Sequence, residues 1–432
     1  MTHRTLAAGL TAALVLSTLT ACGSSEASGA TTLTVVAANY GTGPDDDSQH
    51  YWDRLARAYE ARHPGITIDV KVYGWKDIDT KIAGLVKAGR APDIAQGSMY
   101  ADYAAHHQLY SADELLPIRT QADFIRQLAE EGEVHTTLYG LPFASSSRMF
   151  FCNKRLFRQA GITKPPQTWD DIKTDAQALK TIGVKVPYGL PLGPEEAEAE
   201  ALIWMLGNKG GYTGLAGSYT LGSLANVQAL QWVKNNLVSP GLTGPAAPAE
   251  TNRQDVFRAF IAGDAGMVNG TPRLLAQAES AGIEVGVVSV PGRTDRFHQA
   301  FSVADWLMAF KRNHHRDQIS DFLAYVYSPT NTLAFLDEYR MLPVTTSASD
   351  VMTRHQDWYK DLWPFVNQYK DLGAFIDQQP TTAYYPYDKP SWATVIGQLR
   401  KNLGKAVAPG GVPADVLEEL QQQAAQLDAA PM

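Results

Sequence analysis

The chain has 432 residues, with 45 Asp and Glu against 37 Lys and Arg for a net charge of −8, and 45% of its residues are apolar. An acidic balance spread along the chain speaks against nucleic acid as a partner, and the apolar content with well-spaced Gly and Pro indicates a globular protein of about two domains. Only two cysteines, Cys22 and Cys152, are present, so the fold is expected to rest on burial rather than disulfides.

In chain order, the first feature is an uncharged Leu/Val/Ala run from Leu6 to Thr20, preceded by Arg4. It is shorter than the ~20 residues a spanning helix needs and has the layout of a secretory signal. Its end, Leu19-Thr20-Ala21-Cys22, resembles the bacterial lipobox, which implies cleavage before Cys22 and acylation of its thiol; a plain signal peptidase site is the alternative. Residues 1–21 are thus read as a leader and 22–31, small and polar, as a flexible tether.

TLTVVAAN (32–39) reads as a nearly continuous apolar strand, and ITIDVKVY (66–73) alternates Ile66, Ile68, Val70 and Val72 with polar neighbours. Between them Tyr51, Trp52, Leu55 and Tyr59 share one helical face, in a helix expected over 51–63 and stopped by Pro64-Gly65. Ile78, Ile82, Leu85 and Val86 mark the next helix, and PDIAQG (92–97) a short buried strand. LYGLPF (138–143) and RMFFCN (148–153) read as strands, with Cys152 a buried small hydrophobe. Thr168 and Asp171 form a capping-box pattern. Helices are expected over 222–237 and 252–262, the latter stopped by Gly263, followed by strands in AGMVNG, IEVGVVSV and SVADWLMAF (302–310). This alternation predicts an α/β protein whose sheets are mostly parallel and flanked by helices, with ligand sites beyond the carboxyl ends of the strands, in the loops after Asn39, Tyr73 and Ile94.

FFCNKRLFRQAGITKPPQTWDDI (150–172), PDIA (92–95), LYGLPF (138–143), FIAGDAGMVNG (260–270) and MLPVTTSA (341–348) occur in an order that resembles the bacterial extracellular solute-binding proteins of the maltose-binding type, which serve ABC importers. Cys152 stands where that family usually has tyrosine, and Arg273 stands near a position where many relatives place tryptophan. The resemblance implies a two-lobed periplasmic-binding-protein-like fold with the ligand cleft between lobes. Lobe 1 would comprise 32–145 plus 302–342 and lobe 2 146–295 plus 350–432, with hinge crossings near 144–148, 295–302 and 342–350. It also implies a carbohydrate cargo, a short oligosaccharide; ABC permease subunits as partners; a monomer held at the outer face of the cell membrane only by its lipid; and no cofactor, metal or enzymatic activity.

Sugar sites combine aromatic platforms with paired hydrogen-bonding side chains. Strand-end geometry selects Tyr40, Trp75, Asp77, Ser98 and Tyr100. The resemblance adds Glu196, Asn269, Arg273, Asp305, Trp306, Tyr385 and Trp392. Glu195, Glu198 and Glu200 read more simply as helix-start carboxylates suited to the macrodipole. A second reading keeps the fold and carries a sugar acid, phosphodiester or polyamine, with Arg273 suited to an anionic cargo. The acidic run Asp45-Asp46-Asp47 reads as a solvated helix cap rather than a glycosidase pair, and the adjacent pairs His106-His107 and His314-His315 do not by themselves make a metal site.

Overall fold

The computed structural model describes residues 31–41, 43, 47–214, 216–294, 299–353 and 372–429; the leader, tether residues 22–30 including Cys22, Asp45 and Asp46 lie outside them, and Thr31, expected in the tether, instead begins the first strand. In chain order the strands are β1 (Thr31–Asn39), β2 (Ile66–Gly74), β3 (Ile94–Gly97), the short pair β4 (Glu133–Val134) and β5 (Thr137–Leu138), β6 (Leu141–Ser147), β7 (Met149–Asn153), β8 (Val186–Gly189), β9 (Ala265–Gly270), β10 (Val285–Val288) and β11 (Ser302–Ala309). Two main sheets form, with orders β2-β1-β3-β11-β6 and β10-β7-β9-β8. In the first, β1 pairs in parallel with β2 and β3, while β11 runs against β3 and β6. In the second, β7 runs against β10 and β9, and β8 is parallel to β9. Each sheet is therefore mostly one-directional with one strand reversed. That strand is in each case the one the chain reaches directly from the other sheet.

Local chemistry accounts for these elements. β1 is buried from Val35 to Ala38, as a central strand covered on both faces requires. The helix Ser48–Glu60 buries Tyr51, Trp52, Leu55 and Tyr59, and burying such side chains stabilises by roughly 1.5–3 kcal/mol each. It begins three residues before its expected start because the Asp47 side chain accepts from the Gln49 N–H at 2.8 Å. Thr168 and Asp171 do form a capping box, at the start of the helix Trp169–Thr181. The strand expected over 138–143 is broken: β5 ends at Leu138 and β6 starts at Leu141. Gly140 between them lies so close to Trp306 and Tyr100 that an added Cβ would sit 2.8 Å from either ring.

Helices Arg316–Val326, Pro329–Tyr339 and Thr346–Thr353 cover the first sheet, and Trp392–Val407 and Pro413–Asp428 pack with Ala197–Leu206 and Leu224–Val233 beside the second. His315 is more than a solvated helix start. Its Nδ1 lies 2.9 Å from the carboxylate of Asp93, which is wholly buried and also accepts from the Thr34 N–H and hydroxyl at 2.7 and 2.8 Å. That carboxylate ties β1, β3 and the loop after β11 together. A single residue, Arg148, separates β6 from β7 and so joins the two sheets.

Candidate functional site

Loops after β1, β2 and β3, together with the middle of β11, bring four of the expected residues together. The Tyr40 hydroxyl donates to Asp305 Oδ2 at 2.6 Å and accepts from the Gln96 amide. A bulge in the pairing of β11 with β6 falls between Asp305 and Trp306; such irregularities re-aim side chains at sites. Asp305 is half-buried, and desolvation, with the nearby Asp79 charge, pushes its carboxyl up to about 7 against the Tyr40 hydrogen bond. Trp75 stands edge-on to the Tyr40 ring at 5.4 Å and is 42% exposed. Ser98 Oγ is 3.5 Å from Asp79 Oδ2, and Asp79 Oδ1 is buried without a partner. Burial raises the Asp79 carboxyl as well.

Two other choices from this side fall elsewhere. Asp77 is exposed at the start of the helix Ile78–Lys87 and caps nothing with its side chain. Tyr100 is wholly buried, with its hydroxyl on the Glu131 carbonyl and its ring 5.6 Å from the equally buried Trp306. Both rings serve packing, and Trp306 carries the contact onward to Tyr387 at 4.3 Å.

From the second sheet comes a buried ionic array. Glu196 pairs with Arg148 at 2.6 Å and with Arg253, which also reaches Glu195 at 2.8 Å. Burial would raise the Glu196 carboxyl, but Arg148 and Arg253 outweigh it and hold the group below the usual carboxylate range. Glu198 and Glu200 are not solvated helix-start carboxylates: the helix Ala197–Leu206 is buried on all sides. Glu198 Oε1 accepts from Arg400 Nε at 2.8 Å, while Oε2 has no partner. Glu200 accepts from the Tyr188 hydroxyl at 2.6 Å, the Trp204 indole at 3.0 Å and the Asn269 amide at 3.1 Å. Asn269 is thereby held in a core network, though its Oδ1 remains unpartnered. Arg273 donates to the Tyr40 carbonyl and so links the helix Pro272–Ser280 to the end of β1. Tyr385 and Trp392 are 4% and 2% exposed and pack at 5.2 Å beside Tyr212.

Gln96, Asp79, Glu198, Tyr387 and Arg400 were missed as sequence candidates. The first two lie in stretches that the strand-end rule already marks. Arg400 carries no local signal, since only tertiary folding sets its helix against Ala197–Leu206.

Two helix-flanked sheets, joined through Arg148 and by the contact of Arg273 with the Tyr40 carbonyl, make up a two-lobed fold. The chain belongs to the family described as bacterial extracellular solute-binding protein, which matches residues 44–332. A chain named only as a binding protein, from Brucella abortus (strain 2308), is 28% identical over 96% of this chain and 97% of its own length. The sn-glycerol-3-phosphate-binding periplasmic protein UgpB of Escherichia coli (strain K12) is 23% identical over 71% of this chain and 74% of its own. The fold is shared with maltose-bound MalE3 of T. maritima, at a TM-score of 0.76 and 15% identity over 92% of this chain and 100% of that one. The chain is thus an ABC-type extracellular solute-binding protein with a two-lobed fold of the maltose-binding kind.

Proposed function

We propose that the protein captures a short oligosaccharide between its two lobes and delivers it to an ABC permease. The observation that carries this reading is the half-exposed Trp75 ring set against Tyr40, beside the half-buried Asp305 and the unpartnered Asp79 Oδ1. An aromatic face next to carboxylate acceptors answers a molecule with apolar C–H faces and a rim of hydroxyl donors. The maltose in MalE3 supports the same class of cargo.

The lobes are taken as 32–145 plus 302–342 and 146–295 plus 350–432, hinged near 144–148, 295–302 and 342–350, and the protein acts as a monomer. Cys22 carries lipid and holds it at the outer face of the cell membrane. Replacing Cys22 with Ala is expected to release the protein into the medium, as read by cell fractionation. An anionic cargo draws support from the name of UgpB, but Arg148, Arg253 and Arg400 are all engaged with carboxylates.

The test is thermal unfolding against mono- and oligosaccharides, sugar acids, polyamines and phosphates. A ligand at 100 times its dissociation constant adds about 2.7 kcal/mol to the folded state. Saccharides should raise the midpoint, and Trp75→Ala should lose that response. A response confined to phosphates or sugar acids overturns the carbohydrate reading.

A further inference from the structure

A recess of about 440 Å³ opens between the β4–β5 hairpin, with the helix before it, and the segment 384–389 that leads to Trp392. Its walls come from chain regions far apart in sequence, and its charges are unbalanced. Glu131, Glu133 and Asp388 line it with no ion-pair partner among the described residues. The other charged side chains of the wall are already engaged: Glu130 accepts from Arg126 at 2.7 Å and Lys389 is 2.8 Å from Asp428. His135, on the turn of the hairpin, supplies the remaining nitrogen base.

Burial first, and then Asp388 and Glu130, push the Glu131 carboxyl up to about 7, so like charges oppose one another here. Two aromatic rings, Tyr384 and Tyr385, complete the wall. Tyr385 is 4% exposed, and its hydroxyl has no hydrogen-bond partner. That hydroxyl is enclosed and feels the charges of Glu198 and Glu196, so Tyr385 connects the recess wall to the ionic array. The same ring packs on Trp392 and Phe301, which joins the recess to the interior between the sheets.

We infer that this recess is a subsite for a protonated amine carried by the cargo, a deepening that rests on the proposal of capture between the lobes. Spread carboxylates and tyrosine faces suit an ammonium group, which distributes several N–H donors and is attracted to ring faces. A bare metal ion needs ligands converging at one point, and no group of three or more His, Cys, Asp or Glu is so placed among the described residues. A cation seated here touches both walls at once and relieves the repulsion between Glu131 and Asp388.

The experiment compares one skeleton in two charge states: glucosamine oligomers with free amines and their N-acetylated counterparts, titrated calorimetrically into the purified protein, with neutral glucose oligomers and spermidine alongside. The wild type is expected to bind the free-amine form at least about tenfold tighter than the acetylated form, and the double variant Glu131→Gln/Asp388→Asn to reduce that ratio toward one. Thermal unfolding without ligand confirms that the variant is folded; if it is not, the single variants are used. Equal binding of the two forms, or a ratio the variants leave unchanged, overturns the subsite while neutral-sugar binding leaves the carbohydrate reading standing. Binding of spermidine alone, lost in the variants, supports the subsite and ends the carbohydrate reading. If no amine binds, the subsite is wrong.

Discussion

At the scale of single residues, burial decides what a polar group does. Asp93 is wholly enclosed and accepts from Thr34, Asn313 and His315. Asp93→Ala leaves those donors unanswered and should cost about 3 kcal/mol in urea unfolding. Asp305 is the opposite case, a carboxyl held near 7 by burial. Because its folded value lies above its unfolded one, the native state keeps a proton over roughly pH 4 to 7 that the unfolded chain has released. Stability from this group is therefore full below about pH 4, declines as pH rises toward 7, and is level above that. Asp305→Asn should flatten that part of the profile of unfolding midpoint against pH. The two tryptophans separate in the same way. Trp75→Ala should abolish the response to cargo with little change in stability, whereas Trp392→Ala, at 2% exposure, should cost about 3–5 kcal/mol whatever the ligand.

Elements were legible to the extent that their signals are local. The capping box at Thr168, the apolar face of Ser48–Glu60 and the continuous burial of β1 are written in spacing alone, and each was found where spacing put it. Thr168→Ala is expected to lower stability by about 1 kcal/mol. The break at Gly140 was not legible, because its amide and that of Tyr139 turn to the Gly132 carbonyl and its surface is packed by Tyr100 and Trp306, contacts set by tertiary folding. The same holds for Glu198 and Glu200, whose helix looks amphipathic at its start and is enclosed only when the helix Trp392–Val407 arrives. The β4–β5 hairpin turns through His135 and Thr136 at φ 50° and 64°, a left-handed conformation that costs a β-branched residue about 1–2 kcal/mol. Thr136→Gly should accordingly raise the unfolding midpoint.

For the molecule as a whole, the strand-end rule marked Tyr40, Trp75 and Ser98, which lie near one another beside Asp305 of β11, while pairwise partners such as Arg273 with the Tyr40 carbonyl could not be read from sequence. That contact joins the two halves. Removing it with Arg273→Ala should shift an open–closed balance by about tenfold toward the open form, seen as a larger radius of gyration in solution scattering without cargo. The position of β11 has a consequence for biosynthesis. It lies between β3 and β6, pairing Trp306 with Gly97 and Ser302 with Ser147. All strands of the second sheet, from Met149 to Val288, are therefore made before the first sheet can close. Until then β3 and β6 present unpaired edges, which slows folding and offers a grip to chaperones. The first sheet of a nascent chain is thus expected to close only after some three hundred residues have emerged.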